Sequence, residues 1–201
     1  VCIATRKGVE RIVRAAFEHA VATGRTKVCM SDKSNAMRSF GGLWQRTFKA
    51  VAADYPAIDA SHLYVDVLAM ELVRCPARFE VIVTSNLFGD IVTDLGAILQ
   101  GGIGLAGSGN IHPGRVSLFE PVHGSAPDIA GQGIANPVAM ILSMAMMLRY
   151  TLGWEKEAAT VEAAVEAALA KGSRSADIAR EGEAPLSTNE MGERIKNELL
   201  S

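Results

Sequence analysis

Residues 79–94 read Phe-Glu-Val-Ile-Val-Thr-Ser-Asn-Leu-Phe-Gly-Asp-Ile-Val-Thr-Asp. The first six are apolar and β-branched, the composition of a buried strand. From about residue 88 the apolar positions take up helical spacing, so a strand turns directly into a helix. Asp90 and Asp94 fall four apart where that helix begins, and positions i and i+4 share a face. Two carboxylates held that close repel each other. A positive partner is expected between them, and a divalent cation is the simplest. The carboxyl end of a strand is the edge at which open α/β sheets bind ligands, and carboxylate oxygens suit Mg²⁺ or Mn²⁺. The alternative is a solvated helix face, with Asp90 complementing the helix dipole.

Outward from this stretch, strands and helices alternate. Residues 7–22 place Val9, Ile12, Val13, Ala16, Phe17, Ala20 and Val21 at helical spacing, and Gly24 ends the helix. A short strand is expected over residues 27–31. A helix over residues 36–53 follows, with Leu43, Phe48 and Val51 in the core and a break at Tyr55-Pro56. Residues 62–66 read as a strand and 67–74 as a helix ended by Pro76. The glycines at 101, 102, 104, 107 and 109 make a connection. Residues 117–122 form a strand that leads into a long loop. Asn136-Pro137 starts a nearly all-apolar helix over 138–150, with Asn as N-cap and Pro at the first position. Amphipathic helices cover 155–171 and 188–200. The pattern predicts an α/β fold with a largely parallel sheet. The glycine-rich stretch 101–114 divides it into domains of residues 1–100 and 101–201.

The composition excludes several classes. With 201 residues, a net charge of −2 and 49% hydrophobic but only 5% aromatic residues, nothing favours nucleic acid or a membrane surface. Cys2, Cys29 and Cys75 are odd in number and contain no CxxC pair. They read as reduced thiols of a cytoplasmic protein rather than a disulfide frame or zinc knuckle. The apolar run 138–148 is too short to span a bilayer. Met140, Met144, Met146 and Met147 on it read as core or subunit interface. The chain opens Val-Cys-Ile-Ala-Thr without Met, as if entered in the middle of a strand, so a fragment with its N-terminal part missing is expected.

Three more places carry candidate chemistry. Asp66 ends His62-Leu63-Tyr64-Val65-Asp66 and is either a third oxygen ligand or the N-cap of the next helix. Lys33, in Ser31-Asp32-Lys33-Ser34-Asn35, is either a general base beside the carboxylates or a surface lysine in a turn. The loop His123-Gly124-Ser125-Ala126-Pro127-Asp128 is not GxGxxG, and the chain has no such fingerprint. Its small residues nevertheless let backbone amides approach a phosphate. His123 can stack on a base, and Asp128 can accept both ribose hydroxyls. A carboxylate there repels a 2′-phosphate and so favours NAD over NADP. The alternative is an ordinary structured loop.

Together these segments, with Phe119 to Pro137, resemble the isocitrate/isopropylmalate (β-decarboxylating) dehydrogenase family. The likeness covers essentially the whole chain. Within the family, the 3-isopropylmalate branch looks nearest and the tartrate branch close behind, the latter through Thr5-Arg6-Lys7-Gly8-Val9-Glu10-Arg11 and Lys33-Ser34-Asn35. The resemblance implies two α/β domains with parallel or mixed sheets. Residues 1–100 would be most of the small domain, for dimerisation, metal and substrate. Residues 101–201 would be the carboxyl-terminal half of the large NAD-binding domain.

The resemblance also implies a homodimer with a shared active site, acting on a small hydroxy acid. Asp90 and Asp94 would hold Mg²⁺ or Mn²⁺ from one subunit. Asp66 would complete the metal site from the other, with Lys33 entering beside it as the base. His123, Gly124, Ser125, Ala126, Asp128 and Asn136 would line the NAD site. Asp128 matches the NAD-using members, since NADP-using relatives carry Lys then Tyr at the positions of Asp128 and Ile129. The implied reaction is NAD-dependent oxidative decarboxylation of a 2-hydroxy acid with a 3-carboxylate, foremost 3-isopropylmalate in leucine biosynthesis. Tartrate, malate, isocitrate and homoisocitrate are the alternative substrates, and a non-catalytic regulatory subunit or a fragment that only dimerises the alternative roles. Two departures stand out. Ala4 falls near the family's proton-donating tyrosine, which neither Tyr55 nor Tyr64 matches. The family's substrate-gripping arginines and first nucleotide-contacting segments belong upstream of this sequence, so the chain alone is expected to fall short of a full active site.

Overall fold

The computed structural model describes residues 3–112, 114 and 116–201. Cys2, one of the three cysteines, lies outside them. Two compact units divide the chain, residues 1–96 and 97–201.

The first unit is built on a parallel three-stranded sheet in the order β2-β1-β3, with β1 Lys27–Asp32 flanked by β2 Asp59–Tyr64 and β3 Val81–Thr84. Parallel strands need crossovers, and helices supply them. α1 Arg6–Ala22 precedes β1, α2 Arg38–Ala52 leads to β2, and α3 Val65–Arg74 leads to β3. α4 Asn86–Gln100 follows β3. Side chains alternate across the sheet with period two. Val28, Met30 and Val83 face α1 and α2, where Val9, Val13 and Phe17 meet Trp44, Phe48 and Val51. Phe17 stacks on Tyr55, its ring centroid 4.9 Å away, and tilts against Phe48 at 5.5 Å. Leu63 and Ile82 belong to the second apolar cluster, with Leu68 and Leu72 of α3 and Val92 and Leu95 of α4.

Three elements differ from the sequence expectation. β2 begins at Asp59 and ends at Tyr64, because its rungs with β1 run from Lys27↔Asp59 to Asp32↔Tyr64. Helix α3 therefore takes over at Val65. Tyr64 is its N-cap and Asp66 lies in its first turn, neither ending a strand nor capping the helix. A carboxylate in that turn complements the helix dipole. β3 is shorter than 79–84, and only Val83 in it is fully buried. Pro76–Arg78 forms a 3₁₀ turn. Glu80 instead accepts the backbone N–H groups of Thr26 (2.7 Å) and Lys27 (3.0 Å) at the amino end of β1. Helix α4 begins two residues before the apolar periodicity suggests. Asp90 is therefore outside its first turn, too far along to complement its dipole.

In the second unit, β4 Gly107–Asn110 pairs antiparallel with β5 Leu118–Pro121. The glycine-rich stretch expected to be a plain connection thus holds a strand. Low strand propensity hid it, yet packing demands those glycines. A Cβ at Gly107 would lie 3.0 Å from Ser143 N and 3.1 Å from Leu142 Cβ, on α5 Val138–Met147. Helix α5 ends in a π turn, Leu148–Leu152, so the expected single helix over 138–150 changes pitch. α6 Glu155–Ala170 and α7 Thr188–Leu199 complete the unit, burying Val138, Val165, Ala168, Met191 and Ile195 together. Ser187 and Glu190 form a reciprocal capping box at the start of α7.

Candidate active site

Lys33 and Asp66 come together at the carboxyl edge of the parallel sheet. Lys33 directly follows β1, and its carbonyl accepts the N–H groups of Ala36 and Met37. Its Nζ lies 2.5 Å from Asp66 Oδ1. The Lys33 ammonium, donating to that carboxylate, holds Asp66 below the usual carboxylate range. Thr84, at the same edge of β3, donates its hydroxyl to the Ser31 carbonyl (2.7 Å) and ties β3 to β1.

Asp90 and Asp94 lie on α4, and both are exposed. Among the described residues neither carboxylate makes a hydrogen bond or an ion pair, so no side chain supplies the expected positive partner. Nor do three His, Cys, Asp or Glu side chains gather into a metal-binding group among the described residues of this chain. Asp66 is therefore not clustered with Asp90 and Asp94. The donor set itself, two free carboxylates one helical turn apart, fits a hard divalent cation that keeps part of its water shell.

In the second unit the loop residues Gly124, Ser125, Ala126 and Asp128 are exposed, and His123 is half-buried. His123 Nδ1 donates to the Gly124 carbonyl at 2.8 Å. Ala126 has φ +44°, in the left-handed region, immediately before the 3₁₀ turn Pro127–Ile129. Gln132 closes the turn onto the Asp128 carbonyl (2.7 Å), which leaves the Asp128 carboxylate without a partner among the described residues. Asn136 differs from the rest. It is 9% exposed, its Oδ1 accepts from Val138 N (3.0 Å) and its Nδ2 donates to Asp177 (3.0 Å). Each end of its side chain is thus engaged once within the chain.

Two polar residues that sequence reasoning passed over are built into the same edge as Lys33. Asp32 is 2% exposed, and His62 donates to it from β2. In the second unit the exposed Asp177, also passed over, accepts from Asn136 Nδ2 (3.0 Å) and from Ser175 Oγ (2.6 Å). The only available signal was adjacency, since Asp32 precedes Lys33 and His62 lies four before Asp66. Burial of a carboxylate is not written in composition. Ala4, at the place of the expected acid, lines an apolar cleft of about 440 Å³ with Thr5, Trp44, Asn86 and Phe88. Tyr55 is packed in the core, and Tyr64 stands edge-on to His62.

The isocitrate/isopropylmalate dehydrogenase model matches residues 1–195. The chain belongs to that family. The 3-isopropylmalate dehydrogenase of Saccharophagus degradans is 51% identical over 187 residues, which cover 93% of this chain and 52% of that protein. The corresponding enzyme of Streptomyces griseus is 51% identical over 203 residues, 100% of this chain and 56% of its own length. Among solved structures, isocitrate dehydrogenase from Methylococcus capsulatus matches all of this chain with a TM-score of 0.95 at 42% identity, over 58% of its own chain. This chain thus spans about half the length of the family members it matches.

Proposed function

We propose that the protein is an NAD-dependent, Mg²⁺- or Mn²⁺-dependent dehydrogenase. It would oxidatively decarboxylate a 2-hydroxy acid bearing a 3-carboxylate, with 3-isopropylmalate as substrate and leucine biosynthesis as the setting. One observation carries this. A lysine–aspartate pair at the carboxyl edge of the parallel sheet belongs to the same unit as two exposed carboxylates on α4 that have no partner among the described residues. A regulatory subunit that turned nothing over would have no need of all four.

Asp90 and Asp94 would hold the cation from one subunit and Asp66 from the other. When bound, the cation supplies Lewis-acid charge that acidifies the substrate hydroxyl and steadies the oxygen left negative after CO₂ departs. Lys33 in its neutral form takes the hydroxyl proton on Nζ, and the adjacent Asp66 carboxylate offsets the ammonium charge that results. NAD supplies the hydride acceptor. Asp128 orients it through the ribose hydroxyls and disfavours a 2′-phosphate. His123 stacks beside it, Gly124, Ser125 and Ala126 present small residues to the phosphates, and Asn136 offers its backbone. Ala4 has no proton to give, so the final protonation draws on another group.

A homodimer is part of the proposal. Met70 and Val73 on α3, with Leu87 and Ile91 on α4, are each 59–63% exposed. They form apolar stripes at i,i+3 and i,i+4 on two helices that pack against each other. An apolar surface of this kind marks a protein interface. A second copy covering it would bring the two halves of the metal site together. The unpaired cysteines suit a reducing cytoplasm.

The test is NADH formation by the full-length protein with 3-isopropylmalate, tartrate, malate and isocitrate, with and without Mn²⁺. Turnover that needs Mn²⁺ and is fastest with 3-isopropylmalate is expected. The absence of NADH with all four would remove the proposal.

A further inference from the structure

We infer that Asp32 and His62 form a positioning pair that sets the placement of Lys33 relative to Asp66. This rests on the roles proposed above for Lys33 and Asp66. Asp32 is the last residue of β1, the middle strand, and its side chain is enclosed. Taking a carboxylate out of water is costly unless donors replace the lost hydration. Here Oδ1 accepts from His62 Nε2 at 2.9 Å and from the Ser34 backbone N–H at 3.1 Å. Oδ2 is buried and meets no donor among the described residues. A half-satisfied buried acid on a central strand is a poor choice for stability alone, since an apolar residue of similar size would avoid the cost.

Its connections all lead to the catalytic edge. The Ser34 N–H bond fixes the backbone on the far side of Lys33, so Lys33 is held between the two ends of one hydrogen-bonded turn. Gln45 of α2 donates to Ser34 Oγ at 2.5 Å and secures that turn from above. Met30 of β1 is the rung partner of His62 on β2, and Asp32 that of Tyr64, so the Asp32–His62 bond runs diagonally between the strands. Tyr64, edge-on to the His62 ring at 5.2 Å, is the N-cap of the helix that carries Asp66. The strand ends are thus joined by two side-chain links, one buried and one at the surface. The buried link fixes both backbones from which the surface pair extends. A carboxylate acceptor requires the hydrogen on Nε2, so His62 is held in one tautomer. Misplacing a reacting group by about 1 Å costs roughly 100-fold in rate.

The experiment uses the full-length protein with Mn²⁺, NAD and its best hydroxy acid from the panel above. In His62→Phe the ring shape stays and the donor goes. Its kcat is expected to fall by about 100-fold with KM for both substrates little changed, and the thermal midpoint to fall as well, because the enclosed Asp32 carboxylate loses a donor. In His62→Gln the side-chain amide reaches the place of Nε2, and most of the rate should return. If His62→Phe does not fold, His62→Asn replaces it, because its amide stops short of Asp32. Equal kcat for the Phe and wild-type proteins overturns the inference while leaving the proposed reaction intact. So does a loss in His62→Gln as large as in the breaking variant. A wild-type protein that oxidises none of the acids removes the reaction, and with it the positioning role.

Discussion

Asp90 and Asp94 illustrate what a single side chain contributes here. Both carboxylates are exposed and without a partner among the described residues, so none of those residues balances their repulsion. Asp90→Asn is expected to abolish Mn²⁺-dependent NADH formation in the full-length protein, and undiminished activity would refute the ligand role. Asp128→Lys replaces the proposed ribose acceptor with a cation. Weaker NAD binding in a fluorescence titration is expected, and unchanged affinity would show that Asp128 does not touch the ribose. Asp66 carries a pH signature. An unfolded aspartate titrates near ~3.9, and Lys33 lowers the folded value. The pair's contribution is therefore complete above the unfolded value and disappears as pH falls through the lower, folded one. In Lys33→Met the Asp66 titration should move back up toward the ordinary range, followed by carboxyl ¹³C NMR. An unmoved titration would mean that the pair does not form in solution. The exposed acids and Lys33 could be singled out in the sequence because their residue types and spacing are themselves the signal. Asp32, His62 and Asp177 could not, since what marks them is the burial of Asp32 and partners 30 or more residues away.

Among the elements, α1 shows how a periodic pattern becomes stability. Val9, Val13, Phe17 and Ala20 recur at three- and four-residue steps and all are buried. Phe17 has no exposed surface and touches two other rings. Phe17→Ala should cost about 3–5 kcal/mol, measured by urea unfolding. A cost below about 1 kcal/mol would mean that the packing of α1 on α2 is misplaced. Helices α1, α2, α6 and α7 were legible because amphipathic spacing survives without knowledge of neighbours. β4 was not. Gly-Ser-Gly-Asn has no strand preference of its own, and its conformation follows from the pairing with β5 and the close approach of α5. The early end of β2 was hidden for a similar reason. Strand length is fixed by rungs with β1, whereas apolar character runs on to Val65.

For the molecule as a whole, the exposed stripes on α3 and α4 are the feature with the largest consequence. Ile91→Glu places a charge in the proposed dimer face beside, but not at, the acids proposed to hold the metal. The variant should run as a monomer in light-scattering chromatography and lose turnover together with the dimer. A dimer of undiminished stability would exclude this face as the interface. Family and fold were legible from the order and spacing of four segments, because those segments combine strand ends, helix starts and unusual residue types. The pairing of copies was only implied by the resemblance, since a single sequence does not say which apolar residues stay uncovered. Finally, Ala126 stands in a backbone region that residues with a Cβ avoid, hemmed in by Pro127 and the turn after it. A loop held in that posture by its own chain would have little freedom left to surrender if a dinucleotide bound there as proposed. It would then select by rigid fit, turning away molecules of the wrong outline rather than moulding itself to them.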